Sequence, residues 1–245
     1  MRRLVWTLFW TVLLTQGLMA SDVTVSFDAE DPPFMYEGPT HTPSGLYPLL
    51  FAEAFSRMGV QASFQSLPWK RALEGLDKGV HGVGGIYQTQ ERLAKYDYSA
   101  PFYQERIAVY EPVSGGFSFS SLADLSGKRV AVIRGWSYGD AFDAAVKAGK
   151  IAVEESQGDA ANFKKLSAGR VDVVLAIWEA GDQEVATQGL DTIRRMPTLL
   201  TTNNVYLAFL KTSGKKDLLG QFDTAMAAMK KDGSFGAIVK RAFRN

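Results

Sequence analysis

The chain has 245 residues, with Lys+Arg 27 against Asp+Glu 26, 46% hydrophobic residues and no cysteine. A charged fraction of 22% at near-zero net charge excludes a disordered acidic or basic tail, and there is no basic surplus to suit a nucleic-acid backbone. With no Cys and only His41 and His81, neither a disulfide framework nor a zinc-finger spacing is available, so no metal and no cofactor is expected.

The first element is a targeting segment. Met1-Arg2-Arg3 is a short basic start, Leu4 to Thr15 is mostly apolar, and Gly17-Leu18-Met19-Ala20 ends on a small residue, the pattern of a secretory signal peptide over 1–20. The apolar stretch falls well short of the roughly 20 residues that span a bilayer as a helix. No Cys follows it, which excludes a lipoprotein anchor. Cleavage after Ala20 removes Arg2 and Arg3, so 245 − 20 = 225 residues remain with 25 cations against 26 acids, a net charge of minus 1. The expected product is an exported, soluble, monomeric protein in the periplasm.

Beyond Asp22 the periodicity switches repeatedly between 2 and 3.6. Val23, Val25 and Phe27 alternate as a strand. Tyr47, Leu50, Phe51, Ala54, Phe55 and Met58 repeat at helical spacing up to Gly59, a helix stop. Val60, Ala62 and Phe64 predict a second strand and Trp69–Lys78 a short helix. Further on, strands are expected at Lys128–Ile133, Ile151–Glu155, Val171–Ile177 and Val205–Leu210, and helices at Tyr138–Ala148, Ala160–Ala168, Lys216–Lys231 and Ser234–Phe243. The unbroken apolar run Val171–Ile177 suits a strand buried on both faces of a parallel sheet. The alternation occurs once before residue 105 and again after residue 125, which predicts an α/β protein of two similar lobes, with Tyr103–Gly116 as the crossover.

Several motifs could carry chemistry. Gly135-Trp136-Ser137-Tyr138-Gly139 sits between a strand and a helix and matches a nucleophile elbow. A serine hydrolase of that order needs a downstream His as general base, and both histidines lie upstream, so no catalytic residue is expected there. The same turn offers backbone N–H groups and Ser137 at a helix N-terminus, which suits an anion such as a carboxylate. Gly82-Val83-Gly84-Gly85 lacks the spacing of a dinucleotide fingerprint and reads as a tight turn approached closely by something else. Arg92 follows in Thr89-Gln90-Glu91-Arg92. Asp31-Pro32-Pro33-Phe34 makes a rigid loop at the C-terminal end of the first strand, where open α/β sheets bind ligands. Trp69 heads its helix beside Lys70 and Arg71.

Taken together and in this order, these pieces resemble the family 3 extracellular solute-binding proteins, the polar amino-acid receptors of ABC importers. The resemblance also runs through Tyr98-Ser99-Ala100-Pro101-Phe102-Tyr103, Leu125-Ser126-Gly127-Lys128-Arg129-Val130, Gly169-Arg170-Val171-Asp172 and Lys231-Asp232-Gly233-Ser234-Phe235, over essentially all of 22–245. It implies a type II periplasmic-binding-protein fold, with each lobe a mixed sheet flanked by helices: lobe 1 from 22–105 plus 206–245, lobe 2 from 106–205, joined by two hinge strands. It also implies a ligand enclosed in the cleft by hinge closure and passed to an ABC permease.

By that resemblance Arg92 grips a ligand carboxylate through its guanidinium fork. Gly85 and Tyr87 contact the ligand from the adjoining loop, Trp136 and Ser137 meet it from the second lobe, and Trp69 lines the side-chain pocket, with Phe34 nearby. Two positions depart from the family pattern. Ile177 stands where an acid usually binds the α-ammonium, leaving Glu179 as a replacement two residues on, and Asp31 stands where an aromatic usually stacks. His81, in place of an Asp before the glycine loop, is expected to be structural. The alternatives implied are a cyclohexadienyl-dehydratase-like enzyme using Glu179 as a raised-pKa acid, and a periplasmic sensor using the same residues.

Overall fold

The computed structural model describes residues 23–243, so the segment read as a signal peptide lies outside the described residues. The chain enters with β1 (Val23–Asp28), whose Val23, Val25 and Phe27 are buried as their alternation predicts. A short ribbon of β2 (Glu30–Asp31), β3 (Met35–Glu37) and β4 (Pro43–Ser44) follows. It delivers the proline loop to the start of α1 (Leu46–Met58), whose Leu46 and Tyr47 amides donate to the Pro33 and Phe34 carbonyls at 3.0 and 2.9 Å. Gly59 ends α1 with φ +66°, and its amide returns to the last turn, a backbone state that glycine adopts without a Cβ penalty.

Next come β5 (Ala62–Leu67), parallel to β1, and α2 (Trp69–Asp77). β6 (Gly82–Ile86) lies on the other side of β1. This corrects the reading of Gly82–Gly85 as a tight turn. The segment is a fully buried strand, and its glycines are there because a Cβ on Gly84 would stand 2.6 Å from the Phe27 ring and 2.9 Å from Phe51. α3 (Gln90–Lys95) and β7 (Tyr96–Tyr98) complete this part.

The segment expected as a crossover is itself a strand, β8 (Tyr103–Pro112). The second half then adds β9 (Arg129–Ile133), α4 (Asp140–Lys147), β10 (Ala152–Ser156), α5 (Asp159–Ser167), β11 (Val173–Ile177), α6 (Trp178–Thr187) and β12 (Ile193–Arg195). β11 is buried throughout, with β9 parallel on one side and β8 antiparallel on the other. The return strand β13 (Thr201–Leu210) brings the chain back, and α7 (Lys216–Asp232) and α8 (Ser234–Ala242) pack on α1. Ring centroids of Phe51 and Phe222 are 4.8 Å apart there, a contact that joins the ends of the chain in one apolar core.

The strands follow the order β10-β9-β11-β8-β13-β6-β1-β5, with β12 on β8 and β7 on β13. β8 and β13 carry this path from one half to the other. Tyr103–Ile107 pairs with Thr201–Val205; beyond that overlap β8 continues along β11 and β12, while β13 continues along β6 and β7. Two antiparallel strands are thus the element that the halves share.

Candidate functional site

The wall contributed by the first half is built on β6 and on the loop that joins it to α3. Gly85 has φ +88°, and a Cβ there would stand 2.6 Å from the Met35 sulfur, so only glycine lets the strand turn toward Tyr87 at this point. Thr89 caps α3 by accepting the Arg92 amide at 3.2 Å, which fixes Arg92 in the first turn. The Arg92 guanidinium donates to the Tyr87 carbonyl at 3.2 Å and forms no ion pair among the described residues. Burial lowers its pKa, the expected direction for a cation removed from water.

The opposite wall is the turn between β9 and α4. Gly135 (φ +77°) and Gly139 (φ +101°) bracket Trp136, Ser137 and Tyr138. The donors of this turn are not free, which corrects the expectation of an open anion site. Asp143, one turn into α4, accepts from the Ser137 hydroxyl and, at 3.0 Å, from the Tyr138 amide. A helix N-terminus favours any carboxylate, and here the helix supplies its own.

Two tryptophans tie the walls together. Trp69 Nε1, from the first half, donates to the Gly135 carbonyl at 3.1 Å, and Trp136 Nε1, from the second, donates to Asp28 at 2.8 Å. Their rings meet edge-on with centroids 6.3 Å apart. Trp69, Gly85, Tyr87, Arg92, Trp136 and Ser137 therefore come together around one cavity, in which about 10 Å³ of free space remains.

The cavity has a further wall residue that was not singled out in the sequence, Glu105 of β8. Both its oxygens accept tyrosine hydroxyls, from Tyr47 and from Tyr87. Burial nonetheless raises its pKa to about 7, the desolvation of the charged form outweighing the two donors. Asp28 was missed as well; burial raises it to about 6 against the Trp136 hydrogen bond. The period-2 alternation of Tyr103, Glu105 and Ile107 was the available signal for Glu105.

The remaining expected residues are placed elsewhere. Phe34 does not reach the cavity: it is fully buried in the aromatic core, against Tyr47, Tyr103 and Phe243 at centroid distances of 5.5, 5.9 and 5.4 Å. Glu179 does not line it either. At the start of α6 it accepts from Arg106 at 2.5 Å, and Arg106 in turn lies over the Trp178 ring at 3.9 Å. Ile177, at the end of β11, is 1% exposed and belongs to the core. Asp31 is buried and does not line the cavity, and both its carboxylate oxygens are unpartnered. His81 is structural in its contacts: Nδ1 meets Ser26 Oγ at 2.9 Å, and burial lowers its pKa.

Residues 23–245 match the family of bacterial extracellular solute-binding proteins, family 3. The chain is 28% identical over 241 residues to the L-cystine-binding protein TcyJ of Escherichia coli (strain K12), covering 94% of this chain and 86% of that protein. It is 25% identical over 237 residues to the L-cystine-binding protein TcyA of Bacillus subtilis (strain 168), covering 96% and 84%. Among solved structures, an ancestral arginine-binding protein bound to arginine superposes with a TM-score of 0.76 at 25% identity, over 90% of this chain and 97% of that one. The fold is the two-lobed type II arrangement, and the match extends through both walls of the cleft and both shared strands. The chain belongs to the family 3 bacterial extracellular solute-binding proteins.

Proposed function

We propose that this protein is a periplasmic receptor that captures a small amino-acid-like carboxylate between its two lobes and delivers it to an ABC importer in the inner membrane. The observation that carries this reading is Arg92, a half-buried guanidinium at the cavity that donates to one backbone carbonyl and has no carboxylate partner among the described residues. A partly desolvated cation in that state favours a ligand anion, and a fork of parallel donors suits a carboxylate. The relatives, receptors for L-cystine and arginine by name, support an amino-acid ligand and binding over turnover.

Residues 23–105 and 206–243 form lobe 1 in this reading, and 106–205 form lobe 2. A space of about 10 Å³ holds no more than roughly one water, so an amino acid enters only after the lobes part about β8 and β13. The two tryptophan hydrogen bonds re-form on closure, and a single chain suffices as the working unit.

A thermal-shift screen of amino acids and small carboxylates tests the reading. A ligand that binds only the folded state raises stability by about 2.7 kcal/mol at 100 times its dissociation constant. Absence of any shift with every carboxylate, or an Arg92→Ala protein that responds like the wild type, would sink it. Incubation with prephenate should yield no aromatic product.

A further inference from the structure

The lobes also meet at a point away from the cavity lining, between Gly158 and Glu30. Gly158, which precedes α5, packs so closely on β2 that a Cβ there would stand 2.9 Å from the Glu30 carbonyl oxygen. The next residue on each side is an aspartate, Asp31 from lobe 1 and Asp159 from lobe 2, 2% and 5% exposed. Both oxygens of Asp31 and Oδ1 of Asp159 have no hydrogen-bond partner. Buried polar atoms are nearly always satisfied, and a carboxylate left without a donor in a low-dielectric site is costly.

The surroundings add only negative charge. Asp31 is held well above the ordinary carboxylate range by burial first, then by the charges of Glu105, Asp159 and Asp28. Asp159 is raised to about 7 by burial, with the Glu184 charge adding to it. Among the described residues no group of three acidic or histidine side chains has the arrangement to hold a metal ion, so the missing partner is not a metal held by such a cluster. Asp28 and Glu105 already have their donors, from Trp136 and from the two tyrosines. Asp31 has no donor on either oxygen, and Asp159 has only the Asn162 side chain beside it.

We infer that Asp31 and Asp159 form a cation subsite, one carboxylate from each lobe, that takes the guanidinium or ammonium group on the side chain of a basic amino acid whose carboxylate lies on Arg92. The inference rests on the receptor reading above and names its ligand class. It also supplies what Ile177 lacks: negative charge facing the ligand comes from the β2 and α5 ends of the cleft instead of from the end of β11. Because the two acids belong to different lobes, the cation would bridge them and favour closure.

The test is a calorimetric titration with L-arginine, L-lysine and L-ornithine, with L-citrulline as the uncharged near-isostere of arginine and agmatine as its decarboxylated form. The subsite predicts that at least one basic amino acid binds about 10- to 100-fold more tightly than citrulline, the range for hydrogen bonds to a charged group. Asp31→Asn and Asp159→Asn should each shrink that gap while raising the melting temperature of the unliganded protein above neutral pH, where keeping each buried carboxyl costs most.

Citrulline binding as tightly as arginine, basic amino acids binding the Asn variants as they bind the wild type, or no basic amino acid binding below millimolar concentration would each overturn it. The agmatine arm separates the two readings. Agmatine binding as strongly as arginine, with Arg92→Ala unaffected, would remove the carboxylate reading and leave the cation subsite standing. Citrulline and arginine binding alike, both lost in Arg92→Ala, would do the reverse.

Discussion

The two walls of the cleft are built by different means. The lobe 1 wall grows out of the core: Glu105 is fixed by Tyr47 and Tyr87, Tyr47 lies in the same aromatic cluster as Phe34, Phe51 and Phe102, and Gly85 is shaped by Met35. The lobe 2 wall is a glycine-bracketed turn whose polar groups are satisfied locally by Asp143. The lobe 1 wall therefore carries buried, perturbed ionisable groups that the whole fold holds in place. The lobe 2 wall carries polar groups that are bonded within their own turn and the helix that follows it. Such a division suits a receptor in which one lobe sets which charges are recognised and the other closes over them.

The comparison is broken most readily at Arg92. Arg92→Ala should weaken binding of an amino-acid ligand by about 3 kcal/mol, roughly 100-fold, since it removes a charged donor with no substitute nearby. Isothermal titration measures this; a loss under fivefold would move recognition to the other wall.

Glu105 gives an effect of similar size in stability. Its pKa is raised from 4.5 to about 7 in the folded protein, so the folded state holds this proton more tightly than the unfolded chain does. The contribution is fully present below pH 4.5 and is lost as pH rises through about 7, an upper bound of about 3 kcal/mol. Asp28 and Asp159, raised to about 6 and about 7, act in the same direction. The difference between wild type and Glu105→Gln in thermal unfolding from pH 4.5 to 8 isolates the one group, and parallel curves would contradict its buried state.

Gly85→Ala should destabilise the fold by about 2 kcal/mol through positive φ and the Met35 contact. Trp136→Phe tests the lobe 2 side. It removes the donor to Asp28, so it should cost about 1 kcal/mol of closure, seen as weaker binding and a larger scattering radius with ligand. The melting temperature without ligand should change little; a large fall would mean that the lobe 2 wall is as much part of the core as its counterpart.

Much of this was legible in the residues. The alternation of Val23, Val25 and Phe27, the helical spacing ending at Gly59, and the apolar run into Ile177 each identified an element that formed close to its expected bounds. Short or compositionally ambiguous elements were not legible: β6 reads as a turn because its glycines answer to Phe27, Phe51 and Phe209, residues distant in sequence. Arg92, Trp69, Gly85, Tyr87, Trp136 and Ser137 were singled out through the resemblance to the family, whose motifs fall on turns and helix starts of this chain. Glu105 was passed over because Tyr103–Gly116 was read as a crossover and not as a strand, so its alternation with Tyr103 and Ile107 went unused. Phe34 and Glu179 were misplaced because a proline loop and a helix start do not say which way a side chain faces.

The composition and periodicity determined that the chain is a cysteine-free α/β protein of two similar halves, because hydrophobic spacing follows directly from which face of each element must leave water. Which charges meet was decided only by tertiary structure. Among the described residues Arg92 has no carboxylate partner, Glu105 accepts from Tyr47 and Tyr87, and Asp31 and Asp159 are buried near the contact of Gly158 with Glu30, through segments that lie apart in the chain. Desolvation and charge pairing depend on that convergence, and no local pattern of residues encodes it.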